Sequence, residues 1–392
     1  MHLWPRHTGL IVMRVTAALA AVVLFAAAAE AGSREQARRM HDRIAGVPPS
    51  DAVLSAMEAD IIAGQTQQAA LRAMDNPAFY SVTLKNLVTP WTNRDRTVFA
   101  PLNDYTATVI GMVRDDVPFN ELLSGDILYT GNASLGLPAV SASSNTHYEQ
   151  LESRGIDLRA GLQRTTQSSA YGIPAGATAG VITSRAAAQS FFIAGTNRAM
   201  FRFTILNHMC RDLEEIHDTT RPPDRIRQDV SRSPGGDARL FLNNCAGCHS
   251  GMDPMAQAFA YYTYDDTQGR LVYTAGSVQS KYSNNSGTFK QGFVTPDDNW
   301  ENRWRSGQNA LLGWDPALPG SGNGAKSLGQ ELGNSDAFAS CQVEKVFRTV
   351  CLRSPVDTAD RNQIGSMVSS FRASGFHLKQ AFADAAAYCM GQ

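Results

Sequence analysis

Apolar residues recur at helical spacing along much of this chain. Phe201, Ile205, Met209, Leu213 and Ile216 follow one another at intervals of three and four, which predicts a helix over 197–216 with one buried stripe. Near the C-terminus Leu378, Phe382, Ala385 and Cys389 share a face of a helix over 376–390, preceded by helices over 335–351 and 357–371. Toward the N-terminus Ser50 and Asp51 cap a helix that reaches Ile62 and stops at Gly64. Another helix follows over 65–73, and Asn76-Pro77 begins a turn into Phe79 and Tyr80. Val117-Pro118-Phe119 opens a further short helix, and 261–273 reads as loop with short strand. Residues 131–180 and 274–333 are rich in Gly, Ser and Asn and read as mostly loop, the second stretch anchored by Trp300, Trp304 and Trp314. The expected class is mainly α.

The first residues carry a different pattern. Arg6 and Arg14 form a basic start, 15–29 is an apolar run, and Ala29-Glu30-Ala31 offers a small-x-small cleavage site. This predicts a secretory signal peptide over 1–31 and a periplasmic or otherwise exported chain, with an uncleaved anchor as the alternative. No later run reaches 18 apolar residues, so no integral membrane span is expected after signal removal; peripheral association with a membrane complex stays open. The remainder divides at a Pro-rich polar stretch into a helical N-terminal domain over 32–218, a linker over 219–235, and a motif-bearing module with a C-terminal helical region over 236–392. With 35 basic against 36 acidic residues the chain lacks the electrostatic footprint of a nucleic-acid partner, and none is expected.

Chemistry concentrates in Cys245-Ala246-Gly247-Cys248-His249. C-x-x-C-H is the attachment pattern of a c-type haem, in which Cys245 and Cys248 form thioethers and His249 is the proximal iron ligand. Two other chemistries use such a pair. A redox dithiol usually opens a helix after a strand, whereas 236–244 reads as a short helix; a zinc site needs a second close Cys or His pair. For a distal iron ligand Met252 and Met255 lie too close in sequence to round a porphyrin, and Met367 is the leading candidate, beside Met209, His208 and His377. Arg239 or Arg270 could pair propionates. The acidic pairs Asp115-Asp116 and Asp297-Asp298 are expected at helix starts. Cys341 and Cys351 share one helix about 15 Å apart and should not bond to each other. Cys341 with Cys389 and Cys210 with Cys351 is the preferred pairing, four buried thiols the alternative.

Val117-Pro118-Phe119-Asn120-Glu121-Leu122-Leu123, Gly180-Val181-Ile182-Thr183-Ser184, Gly195-Thr196-Asn197-Arg198, the haem pattern with its trailing Met252-Asp253-Pro254, and Cys341-Gln342-Val343-Glu344 together resemble the planctomycete-type cytochrome c-like proteins, exported mono-haem proteins with domains of unknown function. The resemblance implies a mainly α protein with an embedded cytochrome c-like haem module. The expected function is single-electron transfer through one covalent haem c, with a redox protein as partner or larger assembly. A haem enzyme of peroxidase or oxygenase type, and an interaction protein with structural haem, are the alternatives, so the sequence leaves open whether the chain is an enzyme.

Overall fold

In the computed structural model, residues 31–192 and 195–391 are described. The helices nearest the two ends of the chain pack on one another. Helix α1 (Ser33–Ala45) buries Ala37, Met40 and Ile44 and ends where Gly46 turns left-handed (φ 73°). Ser50 caps α2 (Asp51–Ile62) by accepting from the Val53 amide, and α3 (Thr66–Met74) follows after one turn. At the other end Ser335 caps α10 (Asp336–Cys351), Asp357 caps α11 (Thr358–Ala373), and α12 (Leu378–Cys389) closes the bundle. Helix α12 packs against α10, α11, α3 and α1. Phe79 meets Phe382 edge-on at 5.0 Å, and Arg43 donates to the Cys389 carbonyl at 2.7 Å.

Between these ends lie α4 (Asp104–Arg114), α5 (Thr146–Ser153), α6 (Arg185–Phe191), α7 (Arg198–His208), α8 (Ala246–Ala256) and α9 (Gly324–Gly333). Every residue of α4 except Arg114 is buried. Among the described residues, three antiparallel two-stranded ladders decorate the helices: β1 (Leu128–Gly131) with β2 (Leu162–Thr165), β3 (Tyr262–Asp265) with β4 (Arg270–Tyr273), and β5 (Asn299–Glu301) with β6 (Ser321–Asn323). The mainly α class therefore stands. One buried core runs from Ala37 to Cys389, on both sides of 219–235, and α8 packs into it against α7 and β5. No cytochrome c-like fold is distinguished within 236–392.

Several expectations are corrected. The helix over 197–216 stops at His208, because Cys210 takes a left-handed φ of 52° and is bonded to Cys341. Ile216 is still buried, but from a turn, so the apolar periodicity outlasts the helix. The disulfides are Cys210–Cys341 and Cys351–Cys389, with Cα separations of 5.3 and 5.5 Å. The preferred pairing failed because α11 returns the chain: α12 then runs alongside α10, and the last turns of both helices meet. Asp115 and Asp116 lie between the end of α4 and the short 3-10 helix Phe119–Leu123, whereas Asp297-Asp298 leads into β5 rather than a helix. The stretches read as loop contain α5, β2, β5, β6 and α9. The signal-peptide segment, apart from Ala31, lies outside the described residues and gains no support from the fold. Among the described residues no helix is long and apolar enough to cross a membrane.

Helix α9 was hidden by its own glycines. A Cβ on Gly329 would stand 1.7 Å from the Leu123 carbonyl oxygen, and one on Gly333 2.5 Å from that of Asn120. These glycines let α9 lie against the short turn Phe119–Leu123. Helix propensity alone favours alanine by about 0.5–1 kcal/mol. Gly329→Ala is nonetheless expected to destabilise the protein, by about 1–3 kcal/mol, because backbone must move. A chemical denaturation midpoint at or above that of the parent would contradict this packing.

Candidate functional site

The helix that carries Cys245 begins early and changes pitch. Asp237 caps it by accepting from the Arg239 amide at 2.9 Å, Ala238–Leu240 form one α turn, and Phe241–Cys245 widen into a π turn before α8. Phe241 explains where that turn is held: it packs with Ile226 and Ala246, with Val230 and Cys245 against them, and Arg232 stacks 4.7 Å above its ring. Single π turns inside α-helices frequently sit at functional positions. Leu240 and Leu242, on either side of Phe241, are 44% and 57% exposed.

From the π turn onward Cys245, His249 and Asp253 follow at four-residue intervals, which places them in one row along the helix. The His249 Nδ1 lies 3.2 Å from the Asp253 Oδ1. Asp253 has no exposed side-chain surface and is the centre of a charge cluster. Arg198 donates to both of its oxygens at 2.7 and 2.9 Å and bridges onward to Asp229 at 2.6 Å. The Arg227 guanidinium stands 3.8 Å away and lies over the Tyr282 ring at 4.9 Å. Burial works against ionisation of Asp253, but Arg198 and then Arg227 hold its carboxyl well below the usual range. Two arginines and two aspartates thus balance, and the carboxylate orients the imidazole.

Cys248 faces a different neighbour. Its thiol donates to the Leu213 carbonyl, 3.4 Å away in the turn that follows Cys210. His217 closes the same turn over Gly247, where a Cβ would stand 2.4 Å from its ring, and its Nε2 lies 3.1 Å from the Asn243 carbonyl. On another side Gly251 admits Trp304, whose Nε1 is 1.9 Å from where a Cβ would be. Burial first, then Glu214, the Cys245 thiol and Asp212, pushes the Cys248 thiol up. Both Cys245 and Cys248 are free and half-buried.

The remaining sequence candidates are scattered. Met367 is buried in α11, a helix packed against α10 and α12, whereas α8 packs on α7 and β5; the fold does not bring Met367 to His249. Met209 is buried at the end of α7, and His208 is buried with its Nε2 2.6 Å from the Tyr105 hydroxyl. His377 precedes α12, and Met252 and Met255 are buried on α8. Arg239 pairs with Asp237, and Arg270 donates to Gln268. Sequence reading missed the roles of Asp253, Arg198, Arg227 and His217. Only the first left a signal, the four-residue step from His249.

No protein family, curated protein or solved structure matches the chain. The resemblance to planctomycete-type cytochrome c-like proteins is accordingly withdrawn. Among the described residues no group of three or more His, Cys, Asp and Glu side chains is gathered as metal ligands. The Cys248 thiol is hydrogen-bonded to a carbonyl of the turn lying over it. Haem c, its iron and the electron-transfer cytochrome are therefore corrected, and the haem enzyme and structural haem fall with them. What stands is a mainly α chain with two disulfides and one free cysteine pair, set beside a histidine oriented by a buried aspartate.

Proposed function

We propose that Cys245 and Cys248 form a redox-active dithiol that exchanges with a disulfide of a partner protein. The observation that carries this reading is the division of the six cysteines: four are bonded in two disulfides, while the pair three residues apart is free. Residues three apart on a helix lie within bridging range of one another. The two structural disulfides also favour an exported, oxidising location.

The surroundings assign unequal roles. Cys245 attacks one sulfur of the partner's disulfide; that S–S bond breaks, a mixed disulfide forms, and the partner's first thiolate leaves. His249, one turn along and oriented by Asp253, accepts the Cys245 proton. Cys248 then loses its proton and attacks the Cys245 sulfur, releasing the partner's second thiolate. Two electrons pass to the partner, and the Cys245–Cys248 bond remains. Donation to Leu213 keeps Cys248 as the neutral thiol until that second step. The exposed Leu240 and Leu242 support a polypeptide partner, as does Leu311, 92% exposed on the segment whose Gln308 donates to the His217 carbonyl.

Iodoacetamide at neutral pH is expected to label Cys245 first and Cys248 several-fold more slowly, because only the thiolate reacts. The raised Cys248 pKa makes the gap close as pH rises. Incubated with oxidised glutathione, Cys248→Ser should accumulate a mixed disulfide on Cys245, which the parent protein resolves. Equal labelling at every pH, or a glutathione adduct that persists equally in both proteins, would overturn these roles.

A further inference from the structure

Away from the dithiol, a cavity of about 410 Å³ opens between the end of α7 and the middle of α10, beside the Cys210–Cys341 bridge. Arg96, Arg211, Lys345 and Arg348 line it, with Glu215 and Glu344 the carboxylates among them. Arg348 pairs with Glu344 at 2.5 Å, and Arg211 approaches Glu215 at 3.6 Å. Both carboxylates are therefore matched. Asp212 lies near Arg96 but is bonded to Arg202. In the lining, four basic side chains thus face two carboxylates, and those two carboxylates pair with Arg348 and Arg211 rather than with Arg96 or Lys345.

The placement of these two cations is specific. Lys345 carries its ammonium 3.7 Å over the Trp91 ring and donates to the Asn207 carbonyl, with no carboxylate paired to it among the described residues. Burial, then the nearness of Arg96, disfavours its charged form. A bound anion would reverse that penalty. Arg96 sits in a turn closed by the Asn93 carbonyl, with a left-handed φ of 53°. Cys210, which also lines the cavity, has a φ of 52°. A backbone conformation that non-glycine residues rarely adopt thus occurs twice around one cavity.

We propose that this cavity binds a small oxyanion, a phosphate or carboxylate group seated between the Arg96 guanidinium and the Lys345 ammonium. Guanidinium offers paired donors to two oxygens, and the ammonium a point charge to a further phosphate oxygen or to one oxygen of a carboxylate. This site is independent of the dithiol reading.

Isothermal titration of the full chain with inorganic phosphate and, separately, with succinate at matched ionic strength tests it and separates the two sources. At least one is expected to bind saturably. Arg96→Gln, an exposed change, should weaken that binding roughly tenfold or more. Glu215→Gln, which frees Arg211, should tighten it several-fold. No saturable heat with either anion, or a Kd indifferent to both substitutions, would overturn the proposal.

Discussion

Asp253→Asn is expected to destabilise the protein by about 3–5 kcal/mol, because it leaves buried charge without its counter-ion. Asparagine keeps the shape of the side chain but turns one of its two acceptor oxygens into a donor that faces Arg198, and it cannot balance Arg198 and Arg227. Asp229 still compensates Arg198, so Arg227, 3% exposed at its side chain, bears most of the loss. The pH dependence has a defined sign. A carboxyl whose folded pKa is depressed contributes its full stability above the unfolded value, near 3.9, and loses it as pH falls through the folded value. The deficit of Asp253→Asn should thus be constant from neutral pH down to about pH 4 and shrink only below it. Urea denaturation across that range checks both points; a deficit under about 1 kcal/mol at neutral pH would contradict the charge cluster. The same change releases the His249 ring, and slower reaction of Cys245 with oxidised glutathione should accompany it.

The second large effect belongs to Cys210–Cys341. This bridge closes a loop with a sequence separation of 131, for which chain entropy gives about 5 kcal/mol of stabilisation as an upper figure. Cys351–Cys389 spans 38 and by the same relation contributes about 4 kcal/mol. Paired serine substitution at Cys210 and Cys341 should lower stability by roughly 2–5 kcal/mol. It also removes the tie that halts α7, so the turn over Cys248 should loosen. Faster iodoacetamide labelling of Cys248 in that variant is the specific sign. Loss of stability with unchanged Cys248 labelling would separate the bridge from the site.

The terminal helices were readable because local signals agreed with the tertiary outcome. Ser50 caps where its position suggested, the helix expected over 335–351 is present with Ser335 as its cap, and the apolar stripe ending at Cys389 is buried. Helix α9 was unreadable for a physical reason: Gly329 and Gly333 signal loop in sequence but serve close approach in space. The overextended α7 shows the converse, since Leu213 and Ile216 keep helical spacing while packing from a turn. Disulfide pairing depended on the direction of α12, which spacing alone does not set. At the site, Cys245, Cys248 and His249 were legible because they are contiguous. Their chemistry was not, because it depends on Arg198 and Arg227, 55 and 26 residues from Asp253, and on a turn begun by Cys210.

Peptide mass mapping of the native protein, blocked with iodoacetamide before and after equilibration with oxidised glutathione, tests the dithiol most directly. Before oxidation, Cys245 and Cys248 should each carry one alkyl group while the other four cysteines stay bridged; afterwards, one peptide should hold an internal Cys245–Cys248 bond that dithiothreitol reverses. Cysteines 245 and 248 that resist alkylation in the reduced protein, or carry another covalent group, would contradict the dithiol.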